Sequence, residues 1–339
     1  MTLSRDNDEV AGLQEITVPV LLCDARGHLN PRAVGWTRQP LHTANLRGRG
    51  RNKRWEYWAV SAPDHLLAVT VSDLDYAALH AVYFLAPDRT EKVISRLVPL
   101  ARVALPSRCG AGPVRVRVKD LAIDMDPHAG GVRMRISSPE LTADVEITRP
   151  GGHEALGVVV PWSAARFQYT VKENTLPVRG SVVADGRTFA FGDDSWATLD
   201  HGRGRWPYRV TWNWGSGSGV AGGRTVGLQL GGRWTDGTGS TENALSVDGR
   251  LHYVGEDLDW AYDTDDWMRP WRVHAPRSGR VDVTFTPRHV RSDRVNLGIL
   301  ANDTKQVFGT WSGTMVDDDG QLIHVDGIRG WAEQVVNRW

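Results

Sequence analysis

Between Val114 and Thr148 the chain alternates apolar and polar residues with a period of two, and that pattern restricts the fold more than any other feature. Val114, Val116 and Val118 alternate with Arg115, Arg117 and Lys119; Val132, Met134 and Ile136 alternate with Arg133 and Arg135. Leu141, Ala143, Val145 and Ile147 then alternate with Thr142, Asp144, Glu146 and Thr148. Successive side chains of a strand point to opposite faces, so each run buries one face and wets the other. Turn signals at Asp126-Pro-His-Ala-Gly-Gly131 and Ser138-Pro139 join the runs into an antiparallel meander.

The second half continues in the same style with more glycine. Strands are predicted over Phe167–Lys172, Arg187–Phe191, Arg209–Trp214, Thr225–Gly231, Arg250–Tyr253, Arg280–Thr286, Val307–Met315 and Gln321–Val325. Asp317-Asp-Asp-Gly320 is read as the hairpin turn between the last two. Helical patterns are confined to Arg89–Leu97 and Ala332–Val336. Many short strands without helical crossovers predict an all-β chain of barrels or a sandwich, not a parallel α/β sheet. The expected seam is the hairpin region Gly180–Asp194, dividing the chain into halves 1–194 and 195–339 that pack tightly, since no flexible linker intervenes.

The 339 residues carry 40 basic and 40 acidic side chains, which argues against a general polyanion binder and so against a nucleic-acid partner. The one basic run, Arg47-Gly-Arg-Gly-Arg-Asn-Lys-Arg54, is read as an exposed loop leading into an aromatic strand. Two cysteines, Cys23 and Cys109, fit a reducing compartment. The N-terminal MTLSRDNDEV lacks the apolar core of a secretory signal, and no segment is apolar enough to predict a membrane span. A cytoplasmic location is therefore expected.

Several motif readings fail on context. Gly217-Ser-Gly-Val-Ala-Gly222 matches a dinucleotide fingerprint but runs into another strand, so it is a glycine-rich hairpin. Asp317–Gly320 lacks the spaced ligands of a calcium loop. The carboxylates of Glu256–Asp266 are scattered by aromatic residues and read as a solvated loop. The eleven histidines form no metal-ligand pattern, and Gly-x-Ser-x-Gly is missing. No metal site is predicted.

What remains is the segment Ser195–Gly219, in a chain whose 15 tryptophans outnumber its 6 phenylalanines and 7 tyrosines together. It sets Asp200, His201, Arg203, Tyr208 and Asn213 among Trp196, Trp206, Trp212 and Trp214, as a pocket for an apolar ligand with a polar handle requires. Three further clusters mix polar groups with tryptophan or glycine: Thr241-Glu-Asn243, Gln306–Gly313 with Trp311, and Gly327–Glu333. In a dry cavity the Asp200 carboxyl would rise in pKa and could deliver a proton, with His201 or Tyr208 assisting. The alternative reading makes Asp200 a turn residue in Asp-His-Gly-Arg-Gly. Trp196, Arg203, Trp206, Trp212, Asn213, Trp214, Asn243, Gln306 and Trp311 are the candidate ligand contacts. Glu242 and Asn243 also read as a turn cap, and Arg329 with Glu333 as an ion pair.

Leu199–Tyr208, Trp212-Asn-Trp214, Thr241-Glu-Asn243, Gln306–Gly309 and Gly330-Trp-Ala-Glu333 resemble the bacterial family named domain of unknown function 2804. Gly35-Trp36, Arg54-Trp-Glu-Tyr-Trp58 and Ser72–Tyr76 fit its N-terminal half. A fainter resemblance is to AttH-like proteins and carotenoid 1,2-hydratases, whose Trp-x-Asp-(His or Arg)-x-Trp signature has a counterpart in Asp200, His201 and Trp206, with Gly-Arg-Gly inserted. That resemblance implies two lipocalin-like (calycin) β-barrel halves. It also implies a cofactor-independent hydratase, cyclase or isomerase acting on a lipid, isoprenoid or polyketide-like molecule, with Asp200 as general acid. A non-catalytic carrier of an apolar ligand and a partner-binding module are the alternatives.

Overall fold

The computed structural model describes residues 13–296, 298 and 300–338; the polar N-terminal segment MTLSRDNDEV lies outside them. Among the described residues the chain is all-β, with one short 3-10 turn at Pro31–Ala33 and no α-helix. Both segments with helical patterns are strands, Glu91–Pro99 and Ile328–Arg338. Their helical spacing is overridden because each has a strand to pair with: Glu91–Pro99 pairs with Ala77–Leu85, and Ile328–Arg338 is hydrogen-bonded on both sides.

The strands form two large antiparallel sheets. The central path of the first runs Glu91–Pro99, Ala77–Leu85, Leu66–Asp73, Asn52–Ser61, Trp196–Arg205, Arg166–Ala184, Leu141–Thr148, Gly131–Ser137, Leu121–His128, Val114–Val118. The second runs Arg250–Val254, Asn243–Val247, Arg224–Gly232, Arg209–Ala221, Ile328–Arg338, Ala301–Val316, Val281–Asn296, Trp271–His274, Asp259–Ala261. Each curls round its own core. Ile94 from one end of the first sheet and Val114 from the other belong to a single apolar cluster. Val254 and Val273, from opposite ends of the second, likewise share one. These are two lipocalin-like barrel halves, and the alternation over 114–148 appears as the wall of the first. Its wet face carries cross-strand pairs such as Arg117–Asp124 at 2.8 Å and Arg133–Asp144 at 2.7 Å.

The chain changes sheet at residues 206–208, later than the expected seam after Asp194. Trp196–Arg205 is a central strand of the first sheet, bonded to Asn52–Ser61 and Arg166–Ala184, whereas Arg209–Ala221 is central to the second. The opening segment of the tryptophan-rich region therefore bridges the two halves. The outer face of one curled sheet packs on the outer face of the other: Ala59, Leu66, Ala68 and Tyr83 meet Trp214, Phe308 and Trp331. Asn174 adds a polar pin, its amide donating to Ser216 Oγ at 2.8 Å and to the Leu228 carbonyl at 2.9 Å. Cys23 and Cys109 are both free thiols.

Candidate functional site

Pleat and register build two facing rows of side chains. In the first sheet Lys172, Asp200 and Tyr57 are direct cross-strand partners, so all three project from one face. In the second, Gln306, Glu333 and Trp214 are direct partners in the same way. Packing outer face on outer face brings the rows together between the halves.

Lys172 is the hub. Its ammonium lies 3.1 Å from Asp200 Oδ2 and 3.3 Å from Glu242 Oε2, and 4.0 Å above the Trp214 ring. Three donors and one charge are thus spent on two carboxylates and a π face. Burial acts against the ammonium, but Asp200 and Glu242 outweigh it and hold the Lys172 pKa above its ordinary value. Thr170 Oγ1 donates to Asp200 Oδ1 at 2.9 Å, and Trp234 Nε1 to Glu242 Oε1 at 2.6 Å. Glu242 reaches Lys172 by crossing over Gly231: a Cβ there would stand 2.2 Å from Glu242 Cγ.

Glu333 completes the cluster. Trp212 Nε1 donates to its Oε1 at 2.9 Å, and Gln306 Nε2 to its Oε2 at 3.0 Å; the same Gln306 nitrogen lies 3.3 Å from the Tyr57 hydroxyl. Three carboxyls stand near Lys172 in a buried interface, with Arg291 a weaker influence on Glu333, so their charge is only partly offset. Burial pushes Glu333 up to about 7, against the Trp212 hydrogen bond and Lys172, with Asp200 adding to the rise. Burial, reinforced by Glu333, raises the Tyr57 hydroxyl as well, so that it stays a neutral donor. Glu242 is raised by burial despite Lys172. Lys172, Glu242, Gln306, Glu333 and Trp214 are buried, while Asp200, Tyr57 and Trp212 keep partial exposure.

Beside it stands a tryptophan cage. Trp206 stacks on Trp234 with centroids 5.2 Å apart and an interplanar angle of 15°, and also packs against Trp55, Trp162 and Trp212. Trp206 Nε1 donates to Gln168 Oε1 at 2.7 Å. Gly202 makes room for Trp55, whose ring atoms lie 2.0 Å from where a Cβ would be.

Of the residues expected from sequence to act on or contact a ligand, Asp200, Trp206, Trp212, Trp214 and Gln306 meet at this interface. The others lie elsewhere. Asp200 and His201 are neighbours in a strand and therefore point to opposite faces. His201 is inside the first barrel, its Nδ1 2.8 Å from Glu56 Oε1, which Arg203 Nη2 also contacts at 2.6 Å. Burial disfavours the Glu56 carboxylate, but His201 and Arg203 outweigh it and hold its pKa at about 2. Burial and Arg203 keep His201 below its ordinary value. Tyr208 is 40% exposed in the segment joining the sheets. Trp196 lies at the far end of the Asp200 strand, donating to Asp194. Asn213 and Trp311 face the interior of the second barrel, bonded to Tyr262 and the Ser216 carbonyl. Asn243 braces backbone, accepting from Gly231 N and donating to the Glu256 carbonyl. Arg329 pairs with Asp194, not with Glu333.

Lys172, Tyr57 and Glu333 were not placed in the site by sequence reasoning, and Glu242 was read as a cap. One signal was present. Lys172 is one of five lysines and lies in Thr170-Val-Lys-Glu-Asn174, where polar residues fall on both faces of a strand. Such a strand cannot have a simple dry face and wet face.

The chain belongs to the family described as domain of unknown function 2804, whose model matches residues 13–339. Among solved structures, kievitone hydratase from Nectria haematococca is 10% identical and aligns over 85% of this chain and 89% of its own, with a TM-score of 0.50. An AttH-like protein from Nitrosomonas europaea is 14% identical over 84% of this chain and 92% of its own, with a TM-score of 0.49. The hydratase likeness is one of fold. No curated protein matches the chain by sequence.

Proposed function

We propose that this member of the domain of unknown function 2804 family, with the fold of a hydratase, is a cofactor-independent acid–base enzyme. It adds or removes water, or shifts a double bond, in an apolar small molecule held between the two halves. The observation that carries the reading is Glu333: a buried carboxyl whose pKa is raised to about 7, beside a fixed Lys172–Asp200–Glu242 cluster and a wall of tryptophan. A proton donor is most effective when its pKa lies near the working pH.

Glu333 rather than Asp200 is assigned the proton, because burial raises the Glu333 carboxyl to about 7, whereas Asp200 is the carboxyl in direct contact with the Lys172 ammonium. In hydration, the Glu333 proton goes to one alkene carbon, a water oxygen bonds to the other, and Asp200 takes the proton that the water releases. Glu333 ends ionised and Asp200 protonated, and exchange with solvent through the exposed side of Asp200 restores both. Tyr57 and Gln306 are placed to orient the water or a polar group of the substrate.

The test is to incubate the protein in 18O-labelled water with the apolar molecules that co-purify with it and to follow them by mass spectrometry. Gain or loss of labelled water with wild type, abolished in Glu333→Gln and Asp200→Asn while binding persists, is the expected result. Conversion that survives in both variants rejects the assignment. The five-tryptophan cage favours a second reading, a carrier. On that reading ligand is recovered unchanged and Trp206→Ala weakens its binding.

A further inference from the structure

A recess opens between the halves, away from the carboxyl cluster. It is a cleft of about 260 Å³ whose walls come from residues 61–66, 85–87 and 89 of the first half and 288–289, 308–310 and 329–330 of the second. Its floor is apolar, with Leu66, Leu85 and Phe308 all buried. Its rim is cationic. Arg89 gives one N–H to the Arg288 carbonyl, but among the described residues neither Arg89 nor Arg288 meets a carboxylate. Arg329, also in the wall, is matched by Asp194, and His289 by Glu91. Arg89 and Arg288 therefore line an apolar recess without an ion-pair partner, the Asp64 carboxylate of the same wall being bonded to His65 Nδ1.

Two further polar side chains belong to the same wall. His65 lines the same cleft with a side chain only 5% exposed. Its Nδ1 is engaged by Asp64 at 2.7 Å, and its Nε2 is buried without a partner. Arg329 Nε is likewise buried and unpartnered.

The geometry points to a binding site for an amphipathic anion: a short apolar chain on Leu66, Leu85 and Phe308, with a carboxylate or phosphate head held by Arg89 and Arg288. Paired guanidiniums suit either head, since both present oxygens in the spacing of the Arg fork. The site stands whether or not the Glu333 cluster performs chemistry.

Titration calorimetry with octanoate, octyl phosphate and octanol tests it. Both substituted arginines are exposed, so Arg89→Gln/Arg288→Gln is expected to fold as wild type. At least one anion binds wild type about tenfold or more tighter than octanol, the scale of a charge-assisted hydrogen bond. The double variant reduces that anion to the affinity of octanol, whereas Glu333→Gln leaves it unchanged. The anion with the larger preference identifies the head group. Equal binding of anions and alcohol, no binding of any probe, or a preference that survives in the double variant overturns the proposal.

Discussion

Replacing Lys172 with methionine isolates the charge at the centre of the interface. Methionine keeps the unbranched apolar stem and much of the volume, but it leaves Asp200 and Glu242 without the ammonium now 3.1 and 3.3 Å away. The lysine side chain is only 6% exposed, so solvent does little to replace it. Removing one partner of a buried ion pair costs about 3–5 kcal/mol, and losing the contact with the Trp214 face adds about 1 kcal/mol. The sign with pH follows from the variant's own carboxyls. Buried without a counter-ion, they have folded pKa values above their unfolded ones, so the folded variant binds more protons than the unfolded chain and gains stability as pH falls. The wild-type lysine, with a raised pKa, stays charged throughout this range and contributes no slope. Urea unfolding followed by tryptophan fluorescence is expected to show a deficit of about 4 kcal/mol at pH 8, shrinking by at least half at pH 5. Lys172→Met/Asp200→Asn/Glu242→Gln should recover most of the loss. A deficit below about 1 kcal/mol at pH 8, the worth of an exposed pair, would refute the buried-hub argument. So would an equal deficit at both pH values.

Glu333→Gln removes a carboxyl whose folded pKa, about 7, exceeds the ordinary glutamate value of 4.5. The folded wild type holds this proton between those values, so its stability falls as pH rises through the window; the variant should gain about 3 kcal/mol relative to wild type between pH 4.5 and 8, read by parallel urea titrations. Glu56→Gln leaves Arg203 buried beside a neutral group and should cost about 3–5 kcal/mol at pH 7. Because Glu56 titrates at about 2, its contribution is present above about pH 4.5 and lost as pH falls through 2, so the variant's acid unfolding should be shallower than wild type's. Gly231→Ala should displace Glu242 from Lys172 and cost about 1–3 kcal/mol in thermal or urea unfolding, whereas Gly186→Ala, with open space around it, should show strain from its positive φ alone.

The period of two, the turn residues and the scarcity of helical patterning fixed the all-β class locally, because side-chain alternation in a strand depends only on neighbours in sequence. The same rule bears on Asp200 and His201, whose adjacency in a strand places them on opposite faces and argues against a joint role. The tryptophan-rich segment supplies Trp206, Trp212 and Trp214 to the interface between the halves. The site itself needed the tertiary structure. Lys172 meets Asp200 and Tyr57 through register between strands far apart in sequence, and Gln306 meets Glu333 and Trp214 in the same way. Only the packing of one barrel's outer face on the other's brings the two rows together, and only the resulting burial lifts Glu333 toward neutrality. Strand identity is written in local alternation; which charges share a dry interface is decided by long-range pairing and the exclusion of water.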